Sequence, residues 1–321
     1  MYSLHAACQQ YAWGKIGNES AVADIAKIND PELEIKNDEP YAELWMGAHI
    51  KSPSNLLSKD SQKSKSLYEI EKDLPFLLKI LSVNKALSIQ AHPNKSLAEQ
   101  LHAERPEIYK DPNHKPEMCI ALTEYEGLCG FRLYSQINDF LAKLPHLSSI
   151  CQTESVNNSD ELKSAFANLM SCDKPTIEAK LAKTLEEVSE SDKSLLGDLL
   201  HRLSRQYPGD VGCFVIYFLN RMLLQPGEAM YLGANVPHAY LDGNCVECMA
   251  CSDNVVRAGL TPKLIDVDTV RSFNHGPLWN TIIKISLFVE GVDTEISTTC
   301  LFLPEAAFLE ISAVETTGWG L

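Results

Sequence analysis

No apolar run in this chain reaches the roughly 20 residues that a membrane-spanning helix needs, and no N-terminal stretch joins a charged start to an apolar core. Neither a membrane span nor a secretory signal is expected, and the expected compartment is the cytosol. There the Asn-x-Ser sequences at Asn18, Asn94 and Asn157 meet no glycosylation machinery. Positive charge is scarce: 28 Lys and Arg stand against 43 Asp and Glu, a formal net charge of −15. Such a surface repels polyanions and argues against nucleic-acid or anionic-membrane partners. A small phosphorylated molecule is still within reach of a few converging Lys and Arg. Internal repeats and low-complexity segments are also missing, and 321 residues suffice for a large core in one or two domains.

Cysteine is plentiful by contrast. Three of ten lie in Cys245-Val246-Glu247-Cys248-Met249-Ala250-Cys251, a spacing that invites a zinc or iron–sulfur site. On a strand, however, Cys245 and Cys251 face one way and Cys248 the other, so they cannot converge without a sharp turn. Reduced, part-buried thiols are the expectation.

The segment Ser88-Ile89-Gln90-Ala91-His92-Pro93-Asn94-Lys95 carries more chemistry. Alternation along a strand puts Leu87, Ile89 and Ala91 on one face and Ser88, Gln90 and His92 on the other. In His114-Lys115-Pro116-Glu117-Met118, Lys115, Glu117 and Cys119 share a face opposite Met118, Ile120 and Leu122. In Val236-Pro237-His238-Ala239-Tyr240, His238 and Tyr240 share one. Gln90, His92, Glu117 and His238 together offer two imidazoles and two side-chain oxygens to one cation, with positions left open. Imidazole plus carboxylate without thiolate suits Zn²⁺, and also Mn²⁺ or Fe²⁺.

Residues up to about Arg132 have strand-and-loop character. From about Leu133 to Leu224 apolar residues recur three and four apart, as in Ile177 to Val188 and Leu195 to Leu203. Cys213 to Leu224 is apolar almost all round, which suits a buried helix. Strand character returns at Gln225-Pro226-Gly227. The pattern predicts a mainly β fold with an inserted α-helical domain.

These segments carry a family resemblance. Tyr11-Ala12-Trp13-Gly14, Ala42-Glu43-Leu44-Trp45-Met46-Gly47, Pro75-Phe76-Leu77-Leu78-Lys79, Leu87 to Lys95, Tyr109 to Glu117, Asn235 to Tyr240 and Asn254 to Lys263 stand in the order found in type I phosphomannose isomerases. The chain resembles that family to about Phe273. The resemblance implies a cupin-type β-barrel (jelly roll) and a zinc-dependent aldose–ketose isomerase acting on mannose 6-phosphate and fructose 6-phosphate. That enzyme would supply mannose phosphate for GDP-mannose synthesis and glycosylation. It further implies one Zn²⁺ per chain on Gln90, His92, Glu117 and His238, with Arg257 as the catalytic arginine. Residues 1–132 and 225–278 would form the discontinuous catalytic β domain, and 133–224 the helical insertion.

Moving a carbonyl from C1 to C2 passes through an enediol, with negative charge developing on oxygen. A well-placed donor such as Arg257 is worth roughly 3–4 kcal/mol there, and arginine keeps its own proton. The base stays open between Glu247, Lys115 and a metal-bound water. Glu247 is the candidate by position, between the His238 and Arg257 motifs, against a salt-bridged carboxylate. Ser88, Lys79 and Lys115 are candidates for the phosphate, with Lys263 also in reach of substrate. Trp13, Glu43 and Tyr240 are candidates to line the cleft. Trp13 would stack on sugar carbons, against the alternative of a core Trp.

Members of this family usually continue into a second cupin barrel, and residues 279–321 read as a remnant of one. A monomer is expected, with self-association possible through the shortened end. A truncated form that binds zinc or partners without turnover is the alternative. An iron oxygenase of cupin type fits less well, since Gln90 stands where that class carries His.

Overall fold

The computed structural model describes residues 3–57, 63–271 and 273. The expected β remnant at 279–321 lies outside them, as does the end of the expected catalytic domain at 274–278.

Alternation does shape the strands. In Glu117–Ala121, Glu117, Cys119 and Ala121 are buried while Met118 and Ile120 are half-buried. This strand lies between Ala229–Leu232 and the second half of the long strand His238–Ala250. That long strand organises the fold. Its first half pairs with Tyr125–Phe131 and, at His238, with Ile89–Ala91. Its second half pairs with Phe76–Val83 as well as Glu117–Ala121. From Phe76–Val83 the sheet continues to Glu43–Met46 and Ala7–Gln9, and from Tyr125–Phe131 to Leu219–Leu224. Ile89–Ala91 passes the ladder on to Val256–Gly259. The ten strands pair antiparallel throughout, and among the described residues the hydrogen-bond path does not close into a ring.

A bulge interrupts the long strand. Glu126 pairs with Asp242 and Gly127 with Tyr240, so Leu241 has no partner of its own. Gly243 follows at φ 113°, where a Cβ would meet the Glu124 carbonyl at 2.6 Å. A bulge shifts the side-chain alternation by one residue. His238 and Tyr240 face inward before it, and Cys245, Glu247 and Met249 after it.

The helices Tyr134–Lys143, Pro145–Cys151, Ser159–Ser171, Lys174–Glu187 and Gly197–Gln206 follow the sheet's first half. Asn158 and Asp173 cap two of them by accepting from the Glu161 and Thr176 amides. Their apolar stripes, such as Leu162, Phe166 and Leu169, join one core with Ile89, Ala91, Leu128, Phe131, Ala239, Val256 and Ala258 of the sheet. Burying each large side chain is worth roughly 1.5–3 kcal/mol, so the insertion braces the reverse face of the strands that bear the site. No helix among the described residues is long and apolar enough to cross a membrane.

Two local expectations change. In the apolar run after Cys213 the helix ends at Val215, and Leu219–Leu224 is a strand on Tyr125–Phe131. Short apolar runs have no distinguishing period, and here Asn220 decides by donating to the carbonyls of Cys129, Gly130 and Phe131. The first 132 residues also hold the helices Ala21–Asn29, Leu67–Ile70 and Lys95–Glu104, capped by Ser20, Ser66 and Asn94.

Candidate metal centre

Three strand ends meet on the inner face. His92 follows Ile89–Ala91, while Glu117 and His238 each open a strand. Glu117 Oε2 lies 3.2 Å from His92 Nε2 and 3.4 Å from His238 Nε2. The two imidazole centroids are 5.1 Å apart, and all three residues are at most 2% exposed.

The protons are assigned by the other ring nitrogens. His92 Nδ1 lies 2.7 Å from the Asn254 carbonyl and His238 Nδ1 2.8 Å from the Val236 carbonyl. A carbonyl only accepts, so each Nδ1 donates and each neutral ring leaves Nε2 bare. His92 Nε2, His238 Nε2 and Glu117 Oε2 are buried without a hydrogen-bond partner among the described residues. All lie within 4.8 Å of one another. Leaving one such atom unpaired costs about 1–3 kcal/mol, and a divalent cation satisfies all three at once. The donor set fits zinc. Gln90 sits directly across from His238 on one side and Arg257 on the other, and opposed residues share a face. Its Oε1 accepts from Ser88 Oγ at 3.3 Å.

Electrostatics agree with a neutral His92 ring beside a charged carboxylate. Burial pushes His92 down to about 4, with Glu117 opposing and Lys115 assisting. Burial works against a charged Glu117, but Lys115 and His92 outweigh it and hold the carboxyl well below its usual range. Lys115 Nζ is 2.6 Å from Glu117 Oε1.

A second buried cluster lies further along the same face. Cross-strand pairing lines up Cys119, Glu247, Lys79 and Trp45. Lys79 Nζ is 3.0 Å from Glu247 Oε2, 3.4 Å from Glu43 Oε2 and 5.1 Å from the Trp45 ring centroid. Trp45 Nε1 donates to Glu43. Burial alone would lower Lys79, but Glu247, Glu43 and Glu117 together raise it. Burial raises Glu247 in spite of Lys79. Tyr240 is buried with its hydroxyl unpartnered among the described residues, and Trp13 is half-buried and stacked on Tyr11 at 6.0 Å. Arg257 is half-buried with no carboxylate partner among the described residues, and burial lowers its pKa. Thus Lys79, Lys115 and Ser88 each have a different partner, and Lys263 is exposed on the turn after the arginine strand. Nine cysteines are described and all are free thiols.

Residues that sequence reasoning passed over complete the site. Trp45 bridges Glu43 and His49, whose ring meets it edge-on at 5.1 Å. Asn254, which holds His92, is itself held by Asp111: Asn254 Nδ2 donates to the Asp111 carbonyl at 2.6 Å and to the Asn113 carbonyl at 2.9 Å. Their place in the matching segments Tyr109 to Glu117 and Asn254 to Lys263 was the available signal.

Comparison with known proteins points the same way. Residues 1–134 match the phosphomannose isomerase type I catalytic domain and 141–219 its helical insertion domain. The mannose-6-phosphate isomerase of Rattus norvegicus is 49% identical over 303 residues, spanning 84% of this chain and 72% of that protein. The Homo sapiens protein of that name is 48% identical over the same shares. A phosphomannose isomerase mutant from Salmonella typhimurium superposes with a TM-score of 0.75 at 35% identity, over 86% of this chain and 75% of that one. A zinc-bound mannose 6-phosphate isomerase does so at 0.73 and 36%, over the same shares. The fold is therefore the cupin-containing fold of these enzymes, helical insertion included. With both domains matched and nearly half its aligned residues shared with mammalian relatives, the chain belongs to the type I phosphomannose isomerases.

Proposed function

We propose that this chain interconverts D-mannose 6-phosphate and D-fructose 6-phosphate using one zinc ion per chain, held by Gln90, His92, Glu117 and His238. The observation that carries the proposal is the convergence of His92 Nε2, His238 Nε2 and Glu117 Oε2, buried and without protons between them. Bound zinc would supply Lewis acidity toward the sugar oxygens.

The chain's own residues supply the rest. Arg257 is permanently protonated, shares its cross-strand row with Gln90 and His238, and has no competing carboxylate among the described residues. It stabilises the negative oxygen that develops as the carbonyl moves between C1 and C2. Glu247 is the proposed base: it takes the C2 proton of the aldose and returns it to C1, through an enediol, while the O2 hydroxyl proton passes to O1. The Lys79 ammonium beside it favours the ionised carboxylate that this role needs. Ser88, Lys79, Lys115 and Lys263 are assigned to the phosphate and hydroxyl groups of the substrate, with Trp13, Glu43 and Tyr240 along the cleft. The β unit 1–132 and 225–278 would carry the chemistry and 133–224 the bracing insertion. The enzyme would act as a cytosolic monomer feeding GDP-mannose synthesis.

The test is turnover of mannose 6-phosphate by the purified chain before and after chelation. Turnover lost on chelation and restored by zinc is expected, with Arg257→Ala lowering kcat about 10²–10³-fold while retaining zinc. Folded, zinc-loaded protein that does not convert the substrate would overturn the proposal.

A further inference from the structure

We infer that Asp210, from the helical insertion, is a positioning residue for Arg257. The inference rests on the role given to Arg257 above. The strand Val256–Gly259 is poorly held by its own ladder. Arg257 pairs with Gln90, but the register slips immediately after it, and Gly259 pairs with Ile89. Gly259 then takes φ 145° and Leu260 φ 51°. A left-handed conformation at a branched apolar residue costs energy and persists only where its surroundings enforce it.

The enforcing group is the Asp210 carboxylate. Its Oδ1 accepts from the Leu260 amide at 2.7 Å and from the Gly212 amide at 2.7 Å, and its Oδ2 accepts from the Thr261 amide at 3.1 Å. Packing sets the same distance from the other side. A Cβ on Gly212 would lie 2.5 Å from the Leu260 nitrogen, and one on Gly259 would lie 2.6 Å from the Gly212 Cα. The opposite end of the strand is tied through Asn254, which also holds His92. Arg257 therefore sits between two anchors, one on the metal centre and one on the insertion. Among the described residues the Asp210 carboxylate reaches none of the proposed zinc ligands or substrate-binding side chains, and acts through the backbone that aims the guanidinium.

The experiment is a double-mutant cycle on the zinc-loaded full chain. Asp210→Asn keeps one acceptor oxygen, and Asp210→Ala keeps none. They should lower kcat about 10-fold and about 10²-fold, with KM and zinc content little changed. The loss should shrink to near nothing in an Arg257→Ala background, because the residue being aimed is gone. Gly212→Ala, which wedges the same junction without removing the carboxylate, should behave alike. Equal losses with and without Arg257 would make Asp210 a general scaffold and overturn the inference while leaving the isomerase proposal intact. Full activity of Asp210→Ala would overturn it too. Failure of both Asp210→Asn and Gly212→Ala to give folded, zinc-loaded protein would reduce the junction to a stability element. If Arg257→Ala itself retains full turnover, the role of Arg257 fails first and that of Asp210 with it.

Discussion

His238 and Glu247 lie on one strand an odd number of positions apart, yet both face the same interior. His238 reaches Glu117, and Glu247 stands across from Cys119, two residues further along the Glu117 strand. In a regular strand these two would point to opposite sides of the sheet. The extra residue Leu241 and the positive φ of Gly243 restore them to one face. A proposed metal ligand and the proposed base are thereby brought to one face by a single strand.

This makes Gly243 a sensitive position. Gly243→Ala places a Cβ 2.6 Å from a carbonyl oxygen at φ 113°. Destabilisation of about 1–3 kcal/mol is expected, with activity falling in step as the bulge relaxes. Urea unfolding beside turnover checks it; a silent substitution would mean that the bulge does not set the strand's phase.

Lys79 pairs with two buried carboxylates, Glu43 and Glu247. Lys79→Met leaves the buried Glu43 and Glu247 without their shared cation, and breaking such a cluster costs about 3–5 kcal/mol. Adding Glu247→Gln should recover part of that loss, because a buried charge is removed along with its lost partner. Chemical unfolding of the single and double variants decides, and no recovery in the double variant would refute the pairing as the cause.

Acid should weaken the zinc-free protein. Burial lowers His92 from 6.5 to about 4, so between those values the unfolded chain binds a proton that the folded chain does not. The stabilisation is complete above about pH 6.5 and is lost as pH falls to about 4, and amounts to about 3 kcal/mol. Glu117, also held below its usual value, adds a loss of the same sign as pH falls further. The urea midpoint of chelated protein should drop between pH 7 and pH 4.5. A midpoint that does not move would contradict a neutral His92 with a bare Nε2.

Part of the candidate site's layout was legible in the sequence. Alternation put His92 with Gln90, Glu117 with Lys115 and His238 with Tyr240, and the structure keeps each pair near the metal centre or its adjoining row. The misjudged stretch was Leu219–Leu224, where apolar residues on all sides carry no period and Asn220 settles the matter through carbonyls some ninety positions earlier. The Asn254–Asp111 and Asp210–Leu260 contacts could not be read from side-chain pattern, for a related reason. Both join a polar side chain to backbone groups, and backbone groups look alike in every sequence.

The sequence by itself determined which donor atoms exist and which neighbours share a face, because residue chemistry and the two-residue period of a strand are local properties. It also carried the family, through short segments whose residues act together. Only the tertiary structure decided that three of those donors point at one spot with no proton to share, that Lys79 joins Glu43 to Glu247, and that a bulge turns one strand's two halves inward. Those outcomes depend on cross-strand register, and register is set by pairing between segments far apart in the chain.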